Sequence, residues 1–171
     1  MSLCHWIVTL VVLQRLAEVA WARRNERRLR AEGGIEVGAR HYPLFFLLHG
    51  SWLVALWALA PPDATVAWPL LALFVLLQAG RLWVIASLGR FWTTRIITVP
   101  GAPLIRRGPY RWLKHPNYLV VAGEIAVLPL AFGLGQVAVV FSVLDALLLW
   151  YRIRWEDRAL APRRLTASPT G

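Results

Sequence analysis

Five apolar runs, each long enough to cross a lipid bilayer as a helix, dominate this sequence of 171 residues. A bilayer core about 30 Å thick requires roughly 20 mainly apolar helical residues. The runs cover about 3–21, 43–60, 66–88, 118–134 and 136–153. Because 58% of the residues are hydrophobic and only 16% are charged, the chain lacks the polar surface that a soluble domain of this size needs. We therefore predict an all-α integral membrane protein with one domain, residues 1–171, and about five transmembrane helices.

The connections between the runs alternate between short turns and long basic segments. Pro61-Pro62-Asp63 and Gly133-Leu134-Gly135 join two pairs of runs as hairpins. Segments 22–42, 89–117 and 154–171 are polar, and of the 19 Lys and Arg residues only Arg15 and Arg81 lie well inside the runs. The positive-inside rule then predicts an outside N-terminus and a cytoplasmic C-terminus. A nucleic-acid partner is disfavoured, although the net charge is +10, because the basic residues alternate with membrane spans.

Five ionisable residues fall within the apolar runs, where each needs a partner or a function. Arg15 and Glu18 are three residues apart on one helix and are expected to form a structural pair. Arg81 is expected either to extend to the membrane surface or to pair with Glu124. Glu124 is expected to face either Arg81 or a cofactor. Asp145 is expected to hold two helices together through a polar contact. The single cysteine, Cys4, excludes a disulfide framework and a cysteine-based zinc site, and no metal is expected.

The stretch from Gly108 to Tyr118 carries the densest chemistry and leads directly into the fourth run. His115 precedes Pro116 and is therefore restricted to an extended conformation, while Pro116 and Asn117 are suited to open a helix. After the last hairpin, residues 152–160 contain both basic and acidic side chains and are expected on the same cytoplasmic face as the start of the fourth run. Between the third and fourth runs, the β-branched residues of segment 91–101 predict a short extended piece.

These motifs together resemble the isoprenylcysteine carboxyl methyltransferase family. The pattern is Gly-Pro-Tyr-Arg from Gly108, Lys-His-Pro-Asn-Tyr from Lys114, an apolar hairpin, and then Arg-x-x-x-Glu-acidic-x-x-Leu from Arg152. The resemblance is greatest to a small bacterial branch that methylates alkylpyrones and related lipidic phenols. That branch also shows N-terminal features present here as Arg15, Glu18, Arg24-Asn25, His41-Tyr42-Pro43 and His49.

The resemblance implies an S-adenosylmethionine-dependent O-methyltransferase that acts on a lipophilic carboxylate, enol or phenol, with alkylpyrone-type acceptors favoured. The cofactor site is expected at the cytoplasmic end of the last helical hairpin. Its expected cofactor-binding residues are Trp112, Lys114, His115, Pro116, Asn117, Tyr118, Arg152 and Glu156. The expected catalytic residues are His115, Glu124 and Lys114, of which His115 and Glu124 are the candidate bases.

Three departures from the family pattern favour the bacterial branch over the enzymes of prenylated proteins. Lys114 stands where Arg is usual, Asp157 where a second Glu is usual, and Val120 where Gly often follows the tyrosine. Such a protein would lie in the bacterial inner membrane, with membrane lipids and a lipophilic small molecule as its partners. Its oligomeric state is left open.

Two other functions remain as alternatives at this point. Membrane sterol reductases that use NADPH share part of the His-Pro-Asn-Tyr motif and have a following Gly-Glu, which here is Gly123-Glu124. A small transporter or structural bundle would use Glu124 and Asp145 as a proton relay. No inverted repeat is visible in the sequence, and a transporter leaves the motif-rich cytoplasmic segments unexplained.

Overall fold

The structure is a computed structural model that describes residues 2–61 and 65–166, and its described part is almost entirely helical. Four helices are long and apolar enough to cross a membrane, and α4 is a shorter apolar helix of 16 residues. This confirms the predicted all-α membrane fold. The helices are α1 (Leu3–Ala31), α2 (Tyr42–Leu59), α3 (Trp68–Leu88), α4 (Pro116–Ala131) and α5 (Gly135–Thr166).

Helices α1 and α5 extend well beyond the apolar runs from which they were predicted. The run predicted to end near residue 21 continues as helix to Ala31, and the run predicted to end near residue 153 continues to Thr166. Both extensions are rich in Arg, Glu, Leu and Ala, which favour helix even where no apolar face has to be buried. Parts of the predicted cytoplasmic segments 22–42 and 154–171 are therefore helical rather than irregular.

The turn between α4 and α5 has the form that its glycines predicted. Gly133 adopts a positive φ of 75°, and the amide of Leu134 donates a hydrogen bond of 2.8 Å to the Pro129 carbonyl. This αL closure is a common way to end a helix, and it leads directly into α5 at Gly135. Of the other predicted turn, Pro62 and Asp63 lie outside the described residues.

A two-stranded antiparallel ribbon ties the two long polar segments together. Strand β1 (Ile35–Val37) pairs with β2 (Ile96–Thr98) so that Glu36 faces Ile97. Strand β2 confirms the short extended piece expected in segment 91–101. Glu36 accepts hydrogen bonds from Arg30 on α1 and from Arg95, the latter at 2.5 Å. Because of these hydrogen bonds the pKa of Glu36 lies below its ordinary value, although partial burial acts in the opposite direction.

The main apolar core lies in the half of the bundle that contains the α4–α5 turn. Val8, Leu56 and Leu128, from three different helices, are essentially inaccessible there. The outer faces of the helices remain strongly apolar, with Leu10 and Leu76 both more than 60% exposed. Apolar exposure on this scale matches a lipid-facing surface. The orientation of the bundle across the membrane stays a prediction.

Candidate functional site

A group of four charged side chains occupies the interior of the bundle, and we call it the buried ion cluster. It consists of Arg15 and Glu18 on α1, Arg81 on α3 and Glu124 on α4. Arg81 donates three hydrogen bonds of 2.6–2.9 Å to Glu18 and one of 3.3 Å to Glu124. Arg15 lies 2.8 Å from Glu18 and 2.9 Å from Glu124. Two guanidinium groups thus neutralise two carboxylates in a low-dielectric environment.

This cluster tests what the sequence predicted for its four members. The predicted Arg15–Glu18 pair is confirmed. Arg81 is buried and pairs with Glu124 instead of extending to the membrane surface. Glu124 also accepts a 2.8 Å hydrogen bond from Gln78, so its carboxylate is already well occupied. Its role as a general base stays a prediction.

The polar contact expected of Asp145 is wrong. Asp145 is only 1% exposed, and within the described part of the chain neither carboxylate oxygen has a hydrogen-bond partner. The sequence correctly indicated that Asp145 lies inside the bundle, but it contains no indication of which groups face its side chain.

A second group of polar side chains lies where α4 begins and α5 passes beside it, and we call it the cytoplasmic cluster after the membrane side on which the sequence predicts it. It contains His115, Tyr118, Arg152, Glu156 and Asp157. The Tyr118 hydroxyl donates to Glu156 and accepts a 2.9 Å hydrogen bond from Arg152 Nε. His115 stacks on Tyr118 with ring centres 5.3 Å apart. The predicted motif residues from two separate segments thus meet at one place.

The histidine of this cluster also contacts both acidic residues of α5. Its Nε2 lies 3.2 Å from Asp157, and its Nδ1 lies 3.9 Å from Glu156. The Glu156 side chain is 26% exposed and that of His115 is 14% exposed. The cluster therefore presents an acceptor carboxylate and an imidazole that a ligand can reach.

Arg152 is held in place by groups from two further elements. Its Nη2 donates a 2.8 Å hydrogen bond to the carbonyl of Thr94, and its guanidinium lies 5.0 Å from the centre of the Phe45 ring on α2. Thr94 is itself fixed, because its hydroxyl donates to Glu26 and contacts the Tyr42 hydroxyl. The loop before β2 thus orients the arginine that in turn orients Tyr118.

The remaining predicted site residues fall into two groups. Pro116 opens α4 and is buried, and Asn117 beside it has a buried side-chain oxygen, Oδ1, with no hydrogen-bond partner in the described part of the chain. Lys114 is exposed, and Trp112 is 69% exposed and packs against Trp83 at 6.1 Å. The structure does not bring these last two side chains into the cytoplasmic cluster, and their roles stay predictions.

Three residues near the cluster were not among the predicted site residues. Asp157 was noted only as part of the acidic motif, and Thr94 acts through its backbone carbonyl, which leaves no signal in a sequence. Tyr110 lies close enough to Glu156 for the two to interact: burial raises the pKa of its phenol, and the Glu156 charge raises it further. Tyr110 thus keeps its proton near neutral pH and can act as a hydrogen-bond donor.

Comparison with known proteins identifies the chain's relatives. Residues 70–162 match the model of the isoprenylcysteine carboxyl methyltransferase family. The chain belongs to this family. The matched region contains the whole cytoplasmic cluster, together with Arg81 and Glu124, but not Arg15 and Glu18. Membership of this family, together with the membrane-length helices, indicates a membrane methyltransferase. This favours the methyltransferase interpretation over the reductase and the transporter.

Two bacterial relatives extend the similarity over most of the chain. The uncharacterized protein YpbQ of Bacillus subtilis (strain 168) is 40% identical over 158 residues, which cover 90% of this chain and 94% of the relative. An uncharacterized protein of Haemophilus influenzae is 27% identical over 143 residues, 81% of this chain and 83% of the relative. No solved structure matches the chain. Because these alignments cover 90% and 81% of the chain, the similarity extends into the N-terminal helices, which the family model leaves out.

Proposed function

We propose that this protein is an S-adenosylmethionine-dependent O-methyltransferase of a bacterial inner membrane and that it acts on a lipophilic acceptor. The observation that carries the proposal is the cytoplasmic cluster, in which His115, Arg152 and Glu156 set both signs of charge around one tyrosine. A zwitterionic ligand needs just such a mixture, because its ammonium and carboxylate groups require opposite partners.

The residues present fit this cofactor in three respects. The buried Oδ1 of Asn117, which lacks a partner in the described part of the chain, is an acceptor for a ligand hydroxyl or amino group. Glu156 is partly exposed and suits an ammonium or a ribose diol, while Arg152 and His115 suit a carboxylate. The aromatic faces of Tyr118 and His115 suit a cationic or planar group.

When bound, S-adenosylmethionine supplies a methyl group attached to a positively charged sulfur. Transfer to an oxygen acceptor needs alignment and exclusion of water more than a strong protein nucleophile. The chain's contribution is then to fix the ligands. Arg152 is anchored by Thr94 and Phe45, and it holds Tyr118 and, through it, Glu156 in one orientation. His115 lies at the edge of this arrangement, and His115 and Glu124 are the two proposed bases for the proton of the acceptor.

The acceptor is proposed to be lipophilic, with the hydroxyl of an alkylpyrone-type compound favoured. The outer faces of the helices are apolar, so an apolar tail can remain in the membrane while its head approaches the cluster. Lys114 and Asp157 also match the polyketide-linked branch better than the enzymes of prenylated proteins. Both points support a small lipid acceptor.

The cofactor is tested by ligand-induced stabilisation of the purified protein in detergent micelles. S-adenosylhomocysteine, the demethylated product, is expected to raise the melting temperature in a concentration-dependent way, and NADPH is expected to leave it unchanged. Stabilisation by NADPH alone would contradict the methyltransferase proposal and support a reductase.

A pair of variants then locates the cofactor. Glu156→Gln is expected to weaken S-adenosylhomocysteine binding at least about tenfold, because it removes a charged hydrogen-bond acceptor. Glu32→Gln is the matched control: Glu32 is an exposed acid paired with Arg90, away from the cluster. Equal affinity in both variants would remove Glu156 from the site. Labelled cofactor, offered with alkylpyrones, alkylresorcinols and prenylcysteine analogues, then identifies the acceptor class.

A further inference from the structure

Three side chains on α2 and α5 carry buried polar atoms that lack any hydrogen-bond partner within the described residues. They are Nε1 of Trp52 on α2, and Oγ of Ser142 and both carboxylate oxygens of Asp145 on α5. Trp52 is 2% exposed and Asp145 is 1% exposed. Buried polar atoms are almost always paired, and leaving them unpaired in an apolar interior costs free energy, so each such group calls for an explanation.

The register of α2 against α5 places Trp52 and Asp145 at a similar depth on facing helices. The contact between Phe45 and Arg152 sets the register of α2 against α5. The two helices run in opposite directions, because Leu56 of α2 and Val137 of α5 share the core at the far end. Trp52 is seven residues beyond Phe45, and Asp145 is seven residues before Arg152. Seven residues are two helical turns, about 10.5 Å, so both residues lie that far below the cytoplasmic cluster on the same helix faces.

Asp145 is not a member of the neutral ion pairs nearby. Glu18 and Glu124 each accept hydrogen bonds from guanidinium groups, whereas Asp145 accepts none within the described part of the chain. Glu124 is close enough to act on it electrostatically, and with the same sign of charge. A carboxylate in this position lacks a cation and gains most from a hydroxyl donor.

We propose that Asp145, Trp52 and Ser142 form the subsite for the hydroxyl-bearing head group of the lipophilic methyl acceptor. Asp145 accepts the hydrogen bond of the head-group hydroxyl, the indole N–H of Trp52 donates to a second head-group oxygen, and the Ser142 hydroxyl supplies a further contact. The inference rests on the proposed function. It adds a location two turns below the cofactor residues and on the same face of α5. It also predicts that acceptors with a carboxylate head bind more weakly than those with a hydroxyl head, since the Asp145 carboxylate repels them.

The test compares two probes on the full-length protein saturated with S-adenosylhomocysteine. One probe is a long-chain alkylresorcinol, and the other is its O,O-dimethyl ether, which keeps both oxygens but has no hydroxyl hydrogen to donate. Affinity is measured from probe-induced stabilisation in micelles. The native protein is expected to prefer the free hydroxyl by about tenfold or more. In Asp145→Asn this preference is expected to be lost, because a carboxamide is a weaker acceptor than a carboxylate.

Two further variants keep the inference open to refutation even if Asp145→Asn folds poorly. Trp52→Phe keeps an aromatic ring but loses the N–H, so we expect it to weaken both probes equally, by about fivefold to tenfold. Leu128→Ala opens a cavity in the core of α4 and is expected to lower stability without changing the preference for the hydroxyl.

The outcomes separate this inference from the proposed function. If S-adenosylhomocysteine does not stabilise the native protein, the proposed function fails, and the inference fails with it. If it does stabilise the protein but Asp145→Asn keeps the full hydroxyl preference, only the inference is overturned. The same holds if Trp52→Phe leaves both affinities unchanged, and the three groups then form a structural polar cluster satisfied by buried water.

Discussion

Removal of Arg81 is expected to destabilise the bundle by about 3–5 kcal/mol, the usual cost of breaking a buried ion pair. In Arg81→Met the three hydrogen bonds to Glu18 and the one to Glu124 are lost together. One guanidinium, that of Arg15, then remains for two carboxylates. The penalty arises mainly from the uncompensated charge, because methionine fills much of the same volume.

A second substitution separates the charge effect from the loss of packing. Arg81→Met combined with Glu124→Gln returns the cluster to one guanidinium and one carboxylate, so neutrality is restored. The double variant is therefore expected to be more stable than the sum of the two single effects predicts, by about 1–3 kcal/mol. Arg90→Met is the control on an exposed pair: Arg90 and Glu32 are 58% and 41% exposed, and we expect a change of no more than about 1 kcal/mol.

The free energy of unfolding is measured in mixed micelles by titration with a denaturing detergent, followed by circular dichroism and tryptophan fluorescence. The reasoning is refuted if Arg81→Met costs no more than Arg90→Met. It is also refuted if the effects of Arg81→Met and Glu124→Gln simply add, because the two side chains would then not share one electrostatic environment.

Three further predictions concern the end of the bundle at which α4 begins. Gly108→Ala is expected to lower the melting temperature more than Gly101→Ala. Both glycines have positive φ, but a Cβ at Gly108 would lie 2.0 Å from Ser87 Oγ, whereas Gly101 has open space. Equal shifts of the melting temperature in the two variants would contradict this prediction. Asn25→Leu is expected to lower the free energy of unfolding by about 1–3 kcal/mol, because the Gly89 and Trp92 carbonyls lose their buried donor. A decrease below about 0.5 kcal/mol, measured by chemical unfolding, would refute this prediction. The folded-state pKa of Glu36 is lowered, so its contribution to the ribbon is present above its unfolded pKa and is lost as the pH falls through the folded pKa. The protection factors of the strand amides against hydrogen exchange should therefore fall in acid, and less so in Glu36→Gln.

The membrane helices were predictable because bilayer thickness imposes a length on any apolar run that spans it. All five predicted runs coincide with helices. The polar ends of α1 and α5 were not predictable by the same reasoning, since they continue past the apolar runs, and the end of α1 buries only a few apolar side chains, such as Ala22 and Leu29. The ribbon between β1 and β2 is a similar case: its strands have three residues each and are separated by more than fifty positions.

The candidate site was predictable only in its local part. His115 and Tyr118 are close in sequence, and the last hairpin returns Glu156 to them because α4 and α5 are joined by a tight turn. The partners of Arg81 lie 63 and 43 residues away, and spacing in the sequence contains no information about pairs formed across a bundle. The contact of the Thr94 carbonyl and the lack of a partner for Asp145 among the described residues depend on the same three-dimensional packing.

The buried ion cluster and the cytoplasmic cluster are connected through the length of α4. With 16 residues, α4 is about 24 Å long, which is shorter than the hydrocarbon core of a bilayer, so contact with lipid alone does not fix its depth or rotation. Glu124 provides that restraint, because it is held by Arg15 from α1 and by Arg81 from α3. Tyr118 is six residues earlier on the same rigid helix, and its hydroxyl must meet Arg152 and Glu156. The ion pairs that hold Glu124 thus also determine where the tyrosine of the site lies, and this gives the costly burial of four ionised groups a role in positioning the site.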